Sequence, residues 1–382
     1  MDNIAGTKSS LTWAVHISVA ALVFLWLFPT VGLFVSSFRT ADQIATSGWW
    51  RAMFPSEQNL TLRAAAPETQ IRDGDLFVIE GNIFEGRDGA DISVWGTSSR
   101  TIDTYQAGET GEFRSGERIT LQANGDYRIE SGEEMSGNRG KRVFVTAQTP
   151  PEFTTENYRN VLFDPSNREG MAKAFFNTLT VTIPATIIPI LVAAFAAYAL
   201  AWMDFPGRAL LIAAVVGLLV VPLQLALIPL LKLHNEVGIG KGYLGVWLAH
   251  TGFGLPLAIY LLRNYMVGLP RDIIENAKVD GATDFQIFVK IILPLSFPAL
   301  ASFAIFQFLW TWNDLLVALV FLIDATGETT VMTKQIVELL GTRGGNWEIL
   351  ATSAFVSIAV PLIVFFAMQK YLVRGLLAGS VK

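Results

Sequence analysis

The sequence predicts an all-α polytopic membrane protein of six transmembrane helices, with an all-β domain inserted between the first two. Three observations point there. Of 382 residues, 52% are hydrophobic and only 16% charged, and the mean hydropathy is +0.43, a balance unlike that of an ordinary soluble domain. Six apolar runs are each long enough to cross a hydrocarbon layer of about 30 Å, which takes around 20 residues. Between the first two, residues 55–150 turn to Gly, Arg, Glu and Thr, broken by short alternating apolar runs.

The first run, Leu11 to Val35, exceeds the roughly 7 to 15 apolar residues of a signal-peptide core, and no small-residue cleavage site follows it. It is expected as an uncleaved anchor, which with the N-terminal tail makes up residues 1–54. Residues 55–150 read as a small β-sandwich. "DLFVIEGNIF", "ERITLQANGDYRIES" and "KRVFVTAQ" alternate apolar and polar residues with period two, and Asn-Gly supplies a turn. Leu76, Val78, Ile119, Leu121, Tyr127, Ile129, Val143 and Val145 are the expected core, and Pro150-Pro151 a stiff exit. Residues 151–382 carry the other runs: Thr178 to Ala201, Ala209 to Leu231, Tyr243 to Leu262, Phe297 to Ile323 and Ile349 to Tyr371.

Orientation follows from Lys and Arg beside the spans. One set of ends carries Lys8, Arg208, Arg263, Arg271, Lys278, Lys290, Lys370, Arg374 and Lys382, against Lys232, Lys241, Lys334 and Arg343 in the opposite short loops. Both termini are therefore expected in the cytoplasm and residues 55–150 outside it.

Composition removes several function classes. There is no cysteine, hence no disulfide, thiolate metal site or cysteine nucleophile. His16, His234 and His250 are too scattered for a spaced metal motif, and no metal is expected. A net charge of -5 with a pI near 5.4 offers no basic surface for nucleic acid. The nearest string to a phosphate-binding loop, "VGIGKGY", has the wrong spacing and no Ser or Thr after Lys241.

The most informative stretch lies between the fourth and fifth runs. Arg271, Asp272, Glu275, Lys278, Asp280, Asp284 and Lys290 are seven charges within twenty residues. At roughly 2.5 to 3.5 kcal/mol each near a bilayer centre, lipid burial would cost on the order of 20 kcal/mol, so the segment sits in water or against protein. "RDIIENAKV" predicts a short helix, Gly281 a corner, and "ATDFQIFVKIILP" a second helix with Phe285, Phe288 and Ile292 on one face. Pro294 marks the turn into the fifth span. On these features alone the segment reads equally as an amphipathic helix at the lipid headgroups or as a docking element.

The spacing Glu275-x-Ala277-xxx-Gly281, nine residues, then Ile291-x-Leu293-Pro294 resembles the EAA loop of permease subunits in binding-protein-dependent ABC importers. "FTTENYR", "NTLTVTIPAT", "QFLWTWNDLLVALVFL" and the terminal "RGLLAGSVK" resemble the MalG-like branch of carbohydrate permeases, and an extra domain at residues 55–150 resembles the alpha-glucoside permeases of that branch. The second position of the family's Glu-Ala-Ala is Asn276 here. The resemblance implies the ABC importer type I permease fold, with residues 271–296 as a coupling loop seated in a groove of an ATPase subunit. It implies partners as well: a MalF-like second permease subunit, an ATPase dimer that binds ATP and Mg, a periplasmic sugar-binding protein, and the lipid bilayer. No cofactor is expected in this chain, and no enzymatic activity.

Under that resemblance Glu275, Asn276, Ala277, Asp280, Gly281, Ile291, Leu293 and Pro294 are the candidates for ATPase coupling. Pro222, Gln224, Trp310, Asn313 and Asp314 are candidates for the translocation path, with helix packing, interhelical hydrogen bonding and an interfacial aromatic belt as the competing roles. Thr342, Gly344, Gly345 and Asn346, in the loop from Asp324 to Trp347, are candidates for contact with the binding protein. His250 is expected as a satisfied buried imidazole. The β-domain is expected to contact protein, with sugar stacking on Trp95, Tyr105 or Tyr127 as the alternative. A permease for a non-sugar solute, or a membrane sensor with an extracytoplasmic ligand-binding domain, are the competing functions; the second lacks a cytoplasmic signalling module.

Overall fold

A computed structural model describes residues 10–84, 90–163, 170–323, 326–342 and 346–378, with the backbone alone for 10, 341, 342 and 372–378. Gly344 and Gly345, together with Lys8, Arg343, Lys382 and the end of the "RGLLAGSVK" tail, lie outside the described residues. The chain divides into two compact units, Met1–Tyr158 with Gly345–Thr352, and Arg159–Gly344 with Ser353–Lys382.

The first unit opens with α1 (Ser10–Ser36), an aliphatic helix whose large side chains are exposed along most of its length. Thr40 and Gln43 form a capping box that starts α2 (Ala41–Thr46). Nine strands then build two antiparallel sheets. The first runs β1 (Ser56–Arg63), β9 (Arg142–Thr149), β4 (Asp91–Gly96), β5 (Tyr105–Gln106). The second runs β2 (Ile71–Asp73), β3 (Leu76–Asn82), β8 (Asp126–Ser131), β7 (Arg118–Leu121), β6 (Thr110–Glu112). The β7–β8 turn passes through Asn124 and Gly125, and Gly125 takes φ +88°, a region most residues avoid. Alternation drives both sheets onto one core, in which Leu60, Trp95, Val143 and Val145 of the first meet Ile79, Ile119, Leu121 and Ile129 of the second.

One expectation fails in this domain, and the sugar-stacking alternative loses Trp95 and Tyr127. Leu76 is exposed, because it sits at the β2–β3 turn rather than over the core. Trp95 and Tyr127 are buried and spent internally: Trp95 Nε1 donates to Gln106 O at 3.0 Å, and the Tyr127 hydroxyl accepts from Ala65 N at 2.6 Å. Neither presents a ring for stacking on a ligand.

Asn157, from the "FTTENYR" stretch, fastens the end of α1: its Nδ2 donates to Ser37 O and Arg39 O, both at 2.9 Å. It opens α3 (Glu156–Phe163), and Tyr158 meets Ser37 Oγ at 2.7 Å.

The second unit is helical. It contains α4 (Met171–Trp202), α5 (Arg208–Leu218), α6 (Leu223–Glu236), α7 (Tyr243–Val267), α8 (Arg271–Val279), α9 (Asp284–Ile287), α10 (Leu293–Leu295), α11 (Phe297–Trp312), α12 (Leu316–Phe321) and α13 (Met332–Thr342). Most of α14 (Trp347–Ala378) belongs to it too. Helices α4 and α7 pack closely because one face of α4 is nearly all alanine: Ala193, Ala194, Ala197 and Ala201 lie against Ala258, Leu262 and Met266.

Among the described residues, α1, α4, α7 and α14 are each long and apolar enough to cross a membrane unbroken. The third and fifth runs are not straight spans. Helices α5 and α6 meet at 112° within the third run, and the α9–α10 segment meets α11 at 70° at Ser296, just ahead of the fifth. Pro222 N-caps α6 in an extended conformation, which ends the helical path from α5. The fifth run stops again at Asn313, so that Asn313 and Asp314 lie in a break between α11 and α12 and not inside a helix.

Candidate functional site

The charged stretch folds as a helix, a corner and a second helix. Pro270 ends the connection from α7 and precedes α8, as suits a residue with fixed φ and no N–H. Gly281 makes the corner at φ +82°, where a side chain would meet the Cβ strain that glycine escapes. Asp280 N donates to Asn276 O at 3.0 Å and Ala282 N to Ala277 O at 3.0 Å, which closes the end of α8 around that residue. Thr283 and Gln286 then form a second capping box and restart the chain as α9.

The restart is not a uniform α-helix. Residues Phe288 to Ile292 form a π-turn, whose longer repeat shifts the phase of the side chains. Phe285, Phe288 and Ile292 do not share a face, and Phe285 parts from Phe288 within ordinary α-helix, before the π-turn begins. Phe288 and Ile292 are buried, joined by Ile287, while Phe285 is exposed. Helix α8 presents Ile274 and Ala277 to the same cluster as the α4 alanines. Ala277 therefore serves close packing within this chain. It is one of the residues that the family resemblance put forward for ATPase coupling.

The outer side carries Glu275, Asn276 and Asp280, all exposed, with Pro294 exposed and Ile291 and Leu293 half-buried. Glu275 is held by Arg271 at 2.8 Å, one helical turn earlier, and Lys278 faces Asp284 at 3.5 Å. Such exposed pairs are worth little and exchange readily. Val279 and Phe285 stand exposed on either side of the Gly281 corner. Sequence reasoning named Phe285 on the apolar face but missed Val279, for which an apolar residue at a helix end beside a glycine corner was the available signal. Exposed charge around two exposed hydrophobes at a rigid corner is a surface suited to seat on another protein. Behind it lies a cavity of about 540 Å³ lined by Trp202, Arg208, Arg271, Glu275 and Lys278 among others.

The remaining candidates separate into three places. Trp310 lines an apolar cavity of about 520 Å³ with Leu218, Val221, Leu223, Phe253 and Pro256, beside the bend at Pro222. Gln224 is exposed and not among its lining residues. Trp312 instead is buried and donates to Ser357 O at 2.9 Å. Asn313 Nδ2 donates back to Leu309 O at 2.8 Å, and the Asp314 carboxylate accepts from Val317 N at 3.3 Å and Ala318 N at 3.1 Å, capping α12. In the last loop, Thr342 ends α13 and Asn346 is exposed; a helix, α13, occupies the middle of what read as loop.

A buried polar cluster adjoins Asp314. His250 Nε2 is 3.7 Å from Asp314 Oδ2 and has no hydrogen-bond partner among the described residues, so this imidazole is less satisfied than expected. Gln307 Nε2 donates to Ala185 O at 3.0 Å, while its Oε1 and the hydroxyls of Thr182 and Thr186 have no partner among the described residues. Gly254 makes room for Gln307: a Cβ there would stand 2.7 Å from its Oε1. Gln307 was legible only as one polar letter in "QFLWTWNDLL". Asp314→Ala removes the α12 cap and strips His250 of its one nearby carboxylate. It is expected to cost about 1 to 3 kcal/mol, read as a lower thermal midpoint of the detergent-purified chain. An unchanged midpoint would contradict the capping role.

Residues 171–377 match the family described as binding-protein-dependent transport system inner membrane component. The chain is 62% identical over 380 residues to the alpha-glucoside transport system permease protein AglG of Rhizobium meliloti (strain 1021), covering 98% of each. It is 58% identical over 368 residues to the osmoprotective compounds uptake permease protein GgtD of Synechocystis sp., covering 96% of this chain and 91% of that one. Among solved structures, a chain of a bacterial ABC transporter involved in the import of the acidic polysaccharide alginate matches with TM-score 0.54 at 18% identity, over 96% of this chain and 99% of that chain, a likeness of fold.

Proposed function

The chain belongs to the inner membrane components of binding-protein-dependent transport systems, the permeases of ABC importers, and from that premise we propose that it forms half of the pore of an ATP-driven sugar importer. Alpha-glucosides or other oligosaccharides are the cargo. The observation that carries this reading is the 62% identity to an alpha-glucoside permease along 98% of both chains, so that the β-domain is shared as well as the permease core. The two bent helix pairs count as one span each, which with the four straight helices makes six. Both termini then lie in the cytoplasm and the β-domain in the periplasm, in keeping with the Lys and Arg distribution.

The work is divided. A second permease subunit completes the pore, a periplasmic binding protein delivers the sugar, and an ATPase dimer with ATP and Mg supplies the energy. The α8–Gly281–α9 corner is the coupling element. Val279 and Phe285 seat in the ATPase groove, Glu275 exchanges Arg271 for a cation of the partner, and Gly281 keeps the angle between the two helices fixed. Closure of the ATPase dimer moves the corner, and α4 and α7 follow because Ile274, Ala277 and Phe288 are packed against them. Thr342 and Asn346 contribute to contact with the binding protein.

The 58% identity to a permease for osmoprotective compounds favours a second reading, import of a small compatible solute. One experiment separates the two. The permease pair, ATPase and binding protein are reconstituted in liposomes, and ATP hydrolysis is measured across maltose, sucrose, trehalose, longer alpha-glucosides and a glycosylated polyol. Stimulation of about tenfold by an alpha-glucoside is expected. Stimulation by the polyol alone selects the second reading, and stimulation by neither class rules out both.

A further inference from the structure

One cavity of the β-domain belongs to none of the sites above. It holds about 410 Å³ where three pieces of chain converge: the turn after β4, the β6–β7 turn and the start of β9. Arg100, Arg114, Lys141 and Arg142 line it, with Ser115 and the half-buried ring of Phe144. That volume lies within the usual range of about 300 to 1,000 Å³ for a small-molecule pocket.

The charge there is not the overflow of a basic domain. Residues 55–150 contain ten basic against sixteen acidic residues, yet four of the ten line this one cavity. Only Lys141 is neutralised: its Nζ lies 2.7 Å from Glu117 Oε1, donates to Ser115 Oγ at 2.6 Å and stands 5.7 Å from the Phe113 ring. Burial raises the Glu117 pKa, but the bonds from Lys141 and Ser115 outweigh it and hold the carboxyl below its ordinary range, so this pair stays closed at neutral pH. Among the described residues, the guanidinium groups of Arg100, Arg114 and Arg142 have no carboxylate or other acceptor. Arg142 also stands directly opposite Arg63 in the β1–β9 register, and like charges paired across strands destabilise a sheet. An anion would relieve that repulsion.

We propose that this cavity is an oxyanion site that takes a carboxylate- or phosphate-bearing ligand. Guanidinium forks bind such groups bidentately and lose less on leaving water than an ammonium does. The Thr97 and Ser115 hydroxyls are already given to Glu112 O and Glu117 Oε2, whereas the Ser98 hydroxyl, which accepts from Arg100 N, keeps its proton for the ligand, and Phe144 offers an apolar surface to the ligand's carbon. The same chemistry has two sources: a small anion free in solution, or the acidic side chains of a partner polypeptide. The proposal is independent of the transport reading.

The test is calorimetric titration of the full chain, purified in detergent, with three probes: citrate, inorganic phosphate and a hexaglutamate peptide. At least one probe is expected to bind once per chain, more weakly as salt is raised. Arg114→Gln/Arg142→Gln is expected to weaken binding about tenfold or more. The single change Arg100→Gln moves it in the same direction at less risk to the fold. Arg72→Gln, on β2 of the other sheet, leaves it unchanged. Binding of citrate or phosphate assigns a free anion, and binding of hexaglutamate alone assigns an acidic segment. No binding by any probe, full binding by the double and the Arg100 variants, or equal loss in Arg72→Gln each overturns the proposal.

Discussion

Gly281→Asp is expected to lower sugar uptake at least about a hundredfold while leaving much of the complex assembled. Gly281 has φ +82° and a Cβ built on it meets nothing within 4 Å, so this chain has room for a side chain and the fold is not what breaks. Two other terms act. A left-handed backbone costs an L-residue roughly 1 to 2 kcal/mol, which the corner relieves by changing the angle between α8 and α9. A new carboxylate also appears beside Asp280, at the point where Val279 and Phe285 are exposed. Both effects fall on a surface whose use is to keep a fixed angle against a partner. Gly281→Asn, which adds no charge and tolerates the left-handed region, is expected to retain part of the uptake. The measurement is radiolabelled uptake in a strain carrying the variant as its only copy, with co-purification of the ATPase as the assembly control. Undiminished uptake with Asp at position 281 would remove the corner from the coupling mechanism.

Trp95→Ala is expected to carry the largest cost in stability, about 3 to 5 kcal/mol. The indole is fully buried between the two sheets, packs on Tyr105 at 4.8 Å between ring centroids, and donates its N–H to Gln106 O. Its removal leaves a cavity at the centre of the core, while the Gln106 carbonyl keeps its bond from Glu109 N at 3.1 Å. Against a domain stability of about 5 to 15 kcal/mol, that is enough to populate the unfolded form measurably. Rapid proteolysis within residues 55–150, with the helical residues still protected, is the expected readout. Trp95→Phe keeps most of the volume and loses only the hydrogen bond, so it is expected to fall near wild type. Equal resistance of Trp95→Ala and wild type to protease would show that the core does not depend on this residue.

The two predictions rest on features of different legibility. The corner at Gly281 is legible because glycine marks left-handed positions and charge marks water. Trp95 is not, because a buried tryptophan and one exposed for stacking are the same letter; its depth depends on where β5 and β6 cross it. The assignment of the Gly281 corner to coupling came from family spacing alone, whereas the exposed apolar pair beside it came from the coordinates.

The sequence by itself determined the broad plan. Six apolar runs, one alternating insert and one charged interruption follow from periodicity and from the cost of charge in lipid, and both are local properties of the chain. Tertiary structure alone decided which faces those elements present. Phe288 is buried in the cluster that leaves Phe285 outside, the alanine face of α4 draws Ala277 inward, and capping by Asp314 accompanies the break in the fifth run. Each of these outcomes depends on a phase shift or a neighbour many residues away. A one-residue change of phase exchanges buried for exposed without altering the composition or the hydropathy of the segment.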